Sequence, residues 1–299
     1  MSAARPPEGA PHRSAQHEGT PVSGGLAMDV QHDFLQVRGL STGYRDRKVI
    51  QGLDLPAFHA GEVHSLVGPN AAGKSTLMRA LAGLQSASGS VRLGDQELVG
   101  LPLAEHARRV TYMPQTLPQG VALSVLESVL GALRASPTGD AANDTHAASE
   151  RRAVAILERV GILHLALEGL DHLSGGQRQL VSLAQALVRE PRVVLLDEPI
   201  SALDLQHQLR VMRLVQELAR ERGMIAVMVL HDLQIAARWS DGIVMLSQGA
   251  VVATGKPAQA ITPASLARVY GVQARVEHCS RGGLQIMVDD VLPADGERR

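Results

Sequence analysis

The sequence predicts an α/β fold: a mixed, mainly parallel sheet with helices, joined by an antiparallel β subdomain and an inserted α-helical subdomain. Two unbroken apolar runs, "VVLLDEP" and "MIAVMVLHD", end in polar or charged residues, which is typical of parallel strands buried on both faces. Short apolar segments separated by glycine-containing turns come before them and predict the antiparallel sheet. Between about 101 and 175 the apolar residues recur at helical spacing, which predicts the helical insertion.

The composition of the 299 residues argues against several classes of protein. A formal net charge of −1 and only 2% aromatic residues disfavour nucleic acid as a partner, because such binders carry basic excess or base-stacking platforms. No apolar run is long enough to span a membrane and the start lacks an apolar signal region, so a cytosolic protein is expected. Cys279 is the only cysteine, so neither an intramolecular disulfide nor a cysteine-based zinc site is expected.

Residues 1–30 are rich in Pro, Gly, Ser and His and show no apolar periodicity. This composition predicts a disordered tail. Met28 is an alternative to Met1 as the start of translation. From Phe34 onward, "FLQVRGL", "KVIQGLDL" and "GSVRLGDQEL" predict antiparallel strands, and "GEVHSLVG" predicts a central strand ending at Val67. The next helix is expected to stop near Gly83, with one apolar face made of Leu77, Leu81 and Leu84.

The predicted helical insertion contains two helices and a loop. Ser124 and Glu127 have the spacing of a capping box at the start of the first helix. The polar stretch 135–149 predicts an exposed loop, and a second helix is expected from about Glu150 to Val160.

The C-terminal part returns to the α/β pattern. A helix is predicted over Gln177 to Arg189, followed by the two apolar strands, a hairpin around "SQGA" and a short helix before Tyr270. Two further strands, "VQARVE" and "LQIMVD", flank Gly282 and Gly283.

The stretch "VGPNAAGKST" has the spacing of a phosphate-binding loop between a strand and a helix. In this pattern the backbone N–H groups face the nucleotide phosphates, Lys74 reaches the β- and γ-phosphates, and the hydroxyl of Ser75 holds Mg²⁺. The helix start at Lys74 adds its positive dipole end. The residues expected to bind the nucleotide here are Gly68, Pro69, Asn70, Ala71, Ala72, Gly73, Lys74, Ser75 and Thr76.

Ala71 departs from the glycine that many such loops carry at this position. Because the pattern requires only Gly68 and Gly73 as glycines, we expect Ala71 to have a negative φ and a methyl group that points away from the phosphates.

Two carboxylates follow the first apolar run. Asp197 is expected to hold Mg²⁺ with Ser75, and Glu198 to act as a general base on an attacking water. The alternative is that Asp-Glu-Pro only ends a strand and begins a turn. The phosphate-binding loop upstream favours the catalytic interpretation.

The stretch "LSGGQRQ" begins a helix with a serine and two glycines. An N-cap accounts for Ser174, but it leaves Gly175, Gly176 and Gln177 unexplained. Glycines weaken a helix start unless the backbone must approach another group closely, so these residues predict a second anion site.

Together these motifs resemble the ATP-binding subunit of an ABC transporter, and the resemblance runs from about Phe34 to Val276. "GPNAAGKST" is similar to the Walker A loop, "VVLLDEP" to the Walker B strand and "LSGGQ" to the signature motif. The resemblance further identifies Gln115 as the Q-loop glutamine, "SALD" as the D-loop, His231 as the switch histidine and Tyr44 as the aromatic residue against adenine. Alone, His231 would be an ordinary core histidine, Gln115 a loop residue and Tyr44 a surface packing residue.

The family resemblance implies a P-loop NTPase core. It places the ABC ATPase domain at 31–270, with the helical subdomain inserted at about 101–175, and a small β extension and tail at 271–299. It implies that a homodimer sandwiches two ATP molecules head to tail, each between the Walker loops of one subunit and the signature helix of the other. Mg²⁺ would be held by Ser75, Gln115 and Asp197, and His231 would contact the γ-phosphate.

The partners implied by the resemblance are separate integral-membrane permease subunits and an extracytoplasmic solute-binding protein. The chain would then lie on the cytoplasmic face of the inner membrane, as a peripheral subunit. The stretch "ITPASLARVYGVQARV" resembles importers of iron–siderophore complexes, haem and cobalamin. The alternatives are a cassette that serves another solute, and a soluble ABC ATPase not coupled to transport. A P-loop kinase or GTPase is a third possibility, against which the signature motif argues.

Overall fold

The computed structural model describes residues 1, 34–44, 47–115, 122–135 and 145–293. Apart from residue 1, the N-terminal segment predicted as a disordered tail lies outside these ranges, as does most of the loop predicted over 135–149. In chain order the strands are β1 (Phe34–Tyr44), β2 (Arg47–His59), β3 (Val63–Val67), β4 (Ala87–Leu93), β5 (Gln96–Glu97), β6 (Val110–Met113), β7 (Val193–Asp197), β8 (Ile225–Val229), β9 (Gly242–Ser247), β10 (Ala250–Gly255), β11 (Val272–His278) and β12 (Leu284–Val291). The helices are α1 (Lys74–Leu81), α2 (Leu103–His106), α3 (Val125–Ala135), α4 (His146–Val160), α5 (Gly175–Leu187), α6 (Leu205–Arg222), α7 (Leu233–Trp239), α8 (Pro257–Ala260) and α9 (Pro263–Tyr270).

The predicted α/β fold is confirmed. A six-stranded sheet has the order β10-β9-β3-β8-β7-β6, and its pairs are parallel except for β9 with β10. Every residue of β3, β7 and β8 is buried, because helices cover one face of this sheet and α1 with the antiparallel sheet covers the other. The carboxyl ends of β3 and β7 therefore meet at the same edge, where ligands bind in open α/β sheets.

The antiparallel sheet is confirmed as well, with the strand order β2-β1-β4-β5. The apolar side chains of β1 alternate toward a core that they share with α1, which explains the buried Leu35 and Val37. This packing fixes β1 and β2 beside the loop that leads into α1.

Helix α1 ends as predicted, since Ala82 caps it and Gly83 has a φ of 69°. Leu77 and Leu81 are buried, but Leu84 lies past the end of the helix and is 53% exposed. The prediction that Leu84 shares their face was wrong, because the left-handed Gly83 turns the chain out of the helical path.

The segment predicted as helical from about residue 101 also contains strand β6, which sequence periodicity missed. Its residues pair in parallel with β7 at the edge of the large sheet, Val110 opposite Val193. Pairing with a neighbouring strand thus outweighs the helical spacing around it.

The helices of the insertion follow the predicted signals with one difference. The backbone N–H of Ser124 donates to Glu127 and that of Glu127 donates to the Ser124 hydroxyl, which confirms the capping box. Helix α4 begins at His146, four residues before the predicted Glu150, because the side chain of Thr145 accepts a hydrogen bond from Ala148 N and caps the helix earlier.

At the C-terminal end, the two predicted strands are β11 and β12, and the structure pairs them antiparallel, with Val276 opposite Ile286. The side chain of Gln234 on α7 donates to the carbonyl of Ile286 at 3.1 Å, so this pair is attached to the helix that follows His231. Within the described ranges, no helix has both the length and the apolar character needed to cross a bilayer.

Candidate functional site

The loop between β3 and α1 forms a backbone cradle. Gly68 and Gly73 have φ values of 147° and 101°, which favour glycine. A Cβ atom at Gly68 would collide with the carbonyl oxygen of Leu246, so that position has no room for a side chain. The Lys74 ammonium donates to the carbonyl oxygens of Gly68 and Pro69 at 2.7 and 2.8 Å and closes the loop from inside.

Burial lowers the pKa of Lys74, and the nearby carboxylates of Glu198 and Asp197 act in the opposite direction. The charge of this lysine is therefore poorly solvated by water. An anionic phosphate would supply the missing stabilisation.

Ala71 has a φ of 62°, so the prediction of a negative φ was wrong. The loop must reverse direction between its two glycines, and this residue makes part of that reversal in the left-handed region, where Cβ costs about 1 kcal/mol. Ala71 is exposed and lines the cleft described next, whereas Ala72 is 2% exposed and packs into the core.

An open cleft of about 810 Å³ lies over this loop. Tyr44, which is 48% exposed, stands at its rim, and its hydroxyl accepts a hydrogen bond from Arg79 at 3.1 Å. The cleft brings together residues from both sheets; its lining is Tyr44, Arg47, Val49, Asn70, Ala71, Ala72, Gly73, Lys74, Ser75, Thr76, Gln115, Glu198 and His231. Arg47 is a lining residue that the motifs do not predict, although it belongs to a basic run, "RDRK", directly after the predicted adenine-binding tyrosine.

Ser75 and Asp197 meet at the sheet edge, as predicted. The Ser75 hydroxyl donates to Oδ1 of Asp197 at 3.3 Å, and the Tyr112 hydroxyl donates to Oδ2 at 3.0 Å. Burial, followed by the charge of Asp197, raises the pKa of Tyr112 to about 12, so the phenol keeps its proton. A hydroxyl and one carboxylate are the ligands that Mg²⁺ takes from a protein when phosphate oxygens and water complete its shell, so these residues fit that ion.

Glu198 is held on both of its carboxylate oxygens. Gln115 Nε2 donates to Oε2 at 2.8 Å, and Nε2 of His231 lies 2.6 Å from Oε1. Glu198 has a φ of 55°, a left-handed conformation that costs energy for a residue with a side chain. The structure thus joins three predicted residues from the ends of three different strands. Gln115 was predicted to hold Mg²⁺ together with Ser75 and Asp197. Its described hydrogen bond is to Glu198, and none is described between Gln115 and those two residues.

Gln179 holds the backbone of Glu198 in this conformation, and sequence analysis missed it. The side chain is 6% exposed, and its Nε2 donates to the Glu198 carbonyl at 2.6 Å. Its Oε1 accepts from the backbone N–H of Ala202 at 3.0 Å. Its position two residues after "LSGGQ" was the available signal, since a glutamine in a helical stripe of buried apolar residues requires polar partners.

The signature helix α5 begins with Ser174, which forms a capping box with Gln177. A Cβ atom at Gly176 would lie 2.9 Å from the carbonyl oxygen of Ala202, whereas nothing lies within 4 Å of the corresponding position at Gly175. Contacts within the same chain therefore explain both residues: Gly176 leaves room for the Ala202 carbonyl, and Gln177 completes the capping box. Neither contact was among those predicted from the sequence. Gly175 remains free for approach by another group.

None of the signature residues Ser174, Gly175, Gly176 and Gln177 is among the described residues that line the cleft. The structure therefore brings the Walker, Q-loop and switch residues to one cleft, and the predicted second anion site is not part of its lining.

Comparison with known proteins agrees with this arrangement. The ABC transporter family matches residues 52–201. The hemin import ATP-binding protein HmuV of Bordetella avium (strain 197N) is 38% identical over 251 residues, which cover 81% of this chain and 94% of that protein. The phosphonates import ATP-binding protein PhnC 1 of Rhodopseudomonas palustris (strain HaA2) is 41% identical over 254 residues, or 80% of this chain and 87% of that protein.

Among solved structures, the dimeric structure of MJ0796, a bacterial ABC transporter cassette, superposes with a TM-score of 0.66 at 26% identity. The superposition covers 75% of this chain and 98% of that one. From the site geometry and these similarities, we conclude that the chain belongs to the ABC transporter family as an ATP-binding, ATP-hydrolysing subunit.

Proposed function

We propose that two copies of this chain close on two ATP molecules and thereby energise an ABC importer for an iron chelate, most specifically haem. The observation that carries the proposal is that the predicted second anion site is exposed at Ser174 and Gly175, open at Gly175, and not part of the cleft lining. The cleft holds Lys74 and Ser75, whereas the start of α5 at Ser174 lies outside its lining. A second copy that presents its own Ser174 to the cleft would complete each site and produce the homodimer.

The nucleotide would lie along the cleft. The ring of Tyr44 would stack on adenine at the rim, and the backbone N–H groups of 68–76 together with Lys74 and Arg47 would bind the phosphates. Ser75, Asp197 and Gln115 would hold Mg²⁺, which neutralises phosphate charge when it is bound. Asp197 is the one carboxylate among these three ligands.

Hydrolysis would use Glu198 as the base that accepts a proton from water. Gln115 and His231 hold its two oxygens in this structure, and hydrogen bonds to the charged form make a carboxylate a weaker base, so loss of one of them would strengthen Glu198 as a base. His231 would be the group released, since the switch histidine then becomes free to contact the γ-phosphate. Closure of the second copy over the cleft would drive this exchange.

The partners we propose are separate permease subunits and an extracytoplasmic solute-binding protein, with this chain on the cytoplasmic face of the inner membrane. The ABC ATPase domain, 31–270, would make the contacts to the permease, with the 101–175 insertion transmitting closure. Among the solutes considered, haem is supported by hemin-import relatives from both Bordetella avium and Vibrio cholerae. Iron–siderophore complexes and cobalamin are the related alternatives. The phosphonate-import relative supports a phosphonate as an unrelated solute.

The experiment is transport by the purified complex in liposomes. This chain would be co-expressed with a permease pair encoded beside its gene, and hemin, a ferric siderophore, cobalamin and a phosphonate would be offered with the neighbouring binding protein. We expect ATP-dependent accumulation of hemin and several-fold stimulation of the ATPase by the permease, both lost in Glu198→Gln. Accumulation of the phosphonate alone would refute the iron-chelate assignment, and failure to associate with any permease would favour a soluble ATPase.

A further inference from the structure

Tyr112 reaches from the edge strand β6 to the predicted metal ligand on β7. It lies opposite Leu195 in the parallel register, and Asp197 lies two residues further along β7 on the same face. The Tyr112 hydroxyl donates to Oδ2 of Asp197 at 3.0 Å, while Ser75 donates to Oδ1 at 3.3 Å. A different residue therefore holds each oxygen of the carboxylate, and its rotation is restricted from both sides.

Arg79 supports this arrangement from α1. It lies four residues after Ser75, so both side chains project from the same face of the helix. The Arg79 guanidinium donates to the Tyr44 hydroxyl at 3.1 Å, and its interactions with the Tyr112 and Tyr44 hydroxyls raise its pKa. A phenol polarised by a nearby cation becomes a stronger donor, and the proton of Tyr112 is directed at Asp197.

We infer that Tyr112 is a positioning residue for the magnesium site, acting through Asp197 and held in turn by Arg79. The inference rests on the proposed role of Asp197 as a magnesium ligand. Asp197 is only 2% exposed, so its carboxylate depends on protein donors such as this hydroxyl for its hydrogen bonds. Residues that orient metal ligands in this way typically contribute 10- to 100-fold in metal affinity.

A substitution can distinguish the contribution of the Tyr112 hydroxyl from that of its ring. Tyr112→Phe keeps the ring, which packs against the core that contains α1, and removes only the donor to Asp197. Thr111 provides a matched control on the same strand. Its hydroxyl is buried and has no hydrogen-bond partner among the described atoms, so Thr111→Val removes a hydroxyl from β6 without a contact to Asp197.

The test measures metal affinity directly, with Mn²⁺ as a paramagnetic substitute for Mg²⁺ and ADP as the nucleotide. Electron paramagnetic resonance gives the Mn²⁺ affinity of the protein–ADP complex, and ADP affinity is measured separately in EDTA. We expect Tyr112→Phe to weaken Mn²⁺ binding at least tenfold. ADP affinity in EDTA should stay within twofold of the wild type, and Thr111→Val should change neither value.

Arg79→Met tests the second link by a double-mutant cycle. Alone, it should weaken Mn²⁺ binding by less than Tyr112→Phe, and in the Tyr112→Phe background it should have no further effect, because its action on Asp197 passes through the phenol. Additive losses in the double variant would overturn the role given to Arg79.

Wild-type metal dependence separates this inference from the proposed function. If wild-type protein binds Mn²⁺ with ADP and Tyr112→Phe binds it as tightly as Thr111→Val does, the inference alone is overturned. A wild type without metal-dependent nucleotide binding would overturn both the inference and the magnesium role of Asp197. Urea unfolding of each variant shows whether any loss reflects a loss of folded protein.

Discussion

Gln179, on the signature helix α5, donates a hydrogen bond of 2.6 Å to the backbone carbonyl of Glu198. The same amide accepts from Ala202 N and lies 3.2 Å from the Ser201 hydroxyl, so one buried side chain connects α5 to the residues that follow β7. The position of the signature helix and the backbone of the proposed base are therefore directly connected.

Gln179→Leu should lower the free energy of unfolding by about 1–3 kcal/mol, because buried polar backbone groups lose their partner. Urea denaturation would measure this loss, and turnover should fall as Glu198 loses its backbone support. Gln234→Leu is the matched control: that exposed glutamine makes a described bond to Ile286, and its loss should cost about 0.5 kcal/mol or less. Equal stability losses in the two variants would contradict a special role for Gln179.

Glu198→Gln should lower ATP turnover by about 10²- to 10⁴-fold and leave ATP affinity nearly unchanged, because the amide cannot accept the proton of water. The variant should also accumulate an ATP-bound dimer, visible by gel filtration. Glu190→Gln serves as the control, since Glu190 shares the left-handed backbone conformation, with a φ of 50°, and pairs with Arg152 and Arg222. Wild-type turnover in Glu198→Gln would remove Glu198 from the mechanism.

Ala71→Gly should leave the free energy of unfolding unchanged or raise it by up to about 1 kcal/mol, since it relieves a left-handed alanine. The neighbouring Ala72→Gly makes the same chemical change at a buried site, where loss of the methyl group should cost about 1–2 kcal/mol. Chemical denaturation of both variants decides the sign. A larger stability loss for Ala71→Gly than for Ala72→Gly would mean that the methyl of Ala71 is needed by the loop.

His106 should make folding sensitive to acid. It is 3% exposed, and burial, followed by the charge of Arg109, lowers its pKa below the ordinary value of 6.5. The unfolded chain therefore binds a proton more readily than the folded one, and stability should fall as pH drops below about 6.5. His106→Phe should make the unfolding free energy less dependent on pH between 7.5 and 5. His64 remains in that variant and its pKa is also lowered by burial, so some dependence should persist. An unchanged pH slope would show that His106 does not contribute.

The sequence predicted the fold and the phosphate-binding part of the cleft because the relevant signals are local, whereas Tyr44, Gln115 and His231 were predicted only from the family resemblance. The loop at 68–76, the end of β7 and the capping box of Ser124 each depend on a few neighbouring residues. Strand β6 and the contacts of Gln179 could not be predicted, because both depend on segments that come together only in the folded chain.

The backbone angle of Ala71 could not be predicted for a different reason. The spacing of the loop predicts that it binds phosphate, but the φ of one residue within the loop depends on how the whole loop turns. A pattern that leaves the residue type open does not determine its φ.

If each ATP is bound between two chains, the two halves of one site can be damaged on different chains of a mixed dimer. In a Glu198→Gln background that retains closed dimers, one chain carries Lys74→Ala and the other Ser174→Arg, whose bulk blocks the helix start. One site of the mixed dimer then lacks both groups and the other keeps both, whereas each homodimer is damaged at both sites. Ser124→Arg controls for loss of a capping box outside the signature motif, and its homodimer should close normally. We predict that equimolar mixing yields ATP-trapped heterodimer well above the level of either homodimer, measured by gel filtration with bound nucleotide. Absence of trapped heterodimer, at ATP concentrations that close the Glu198→Gln parent, would contradict the shared site.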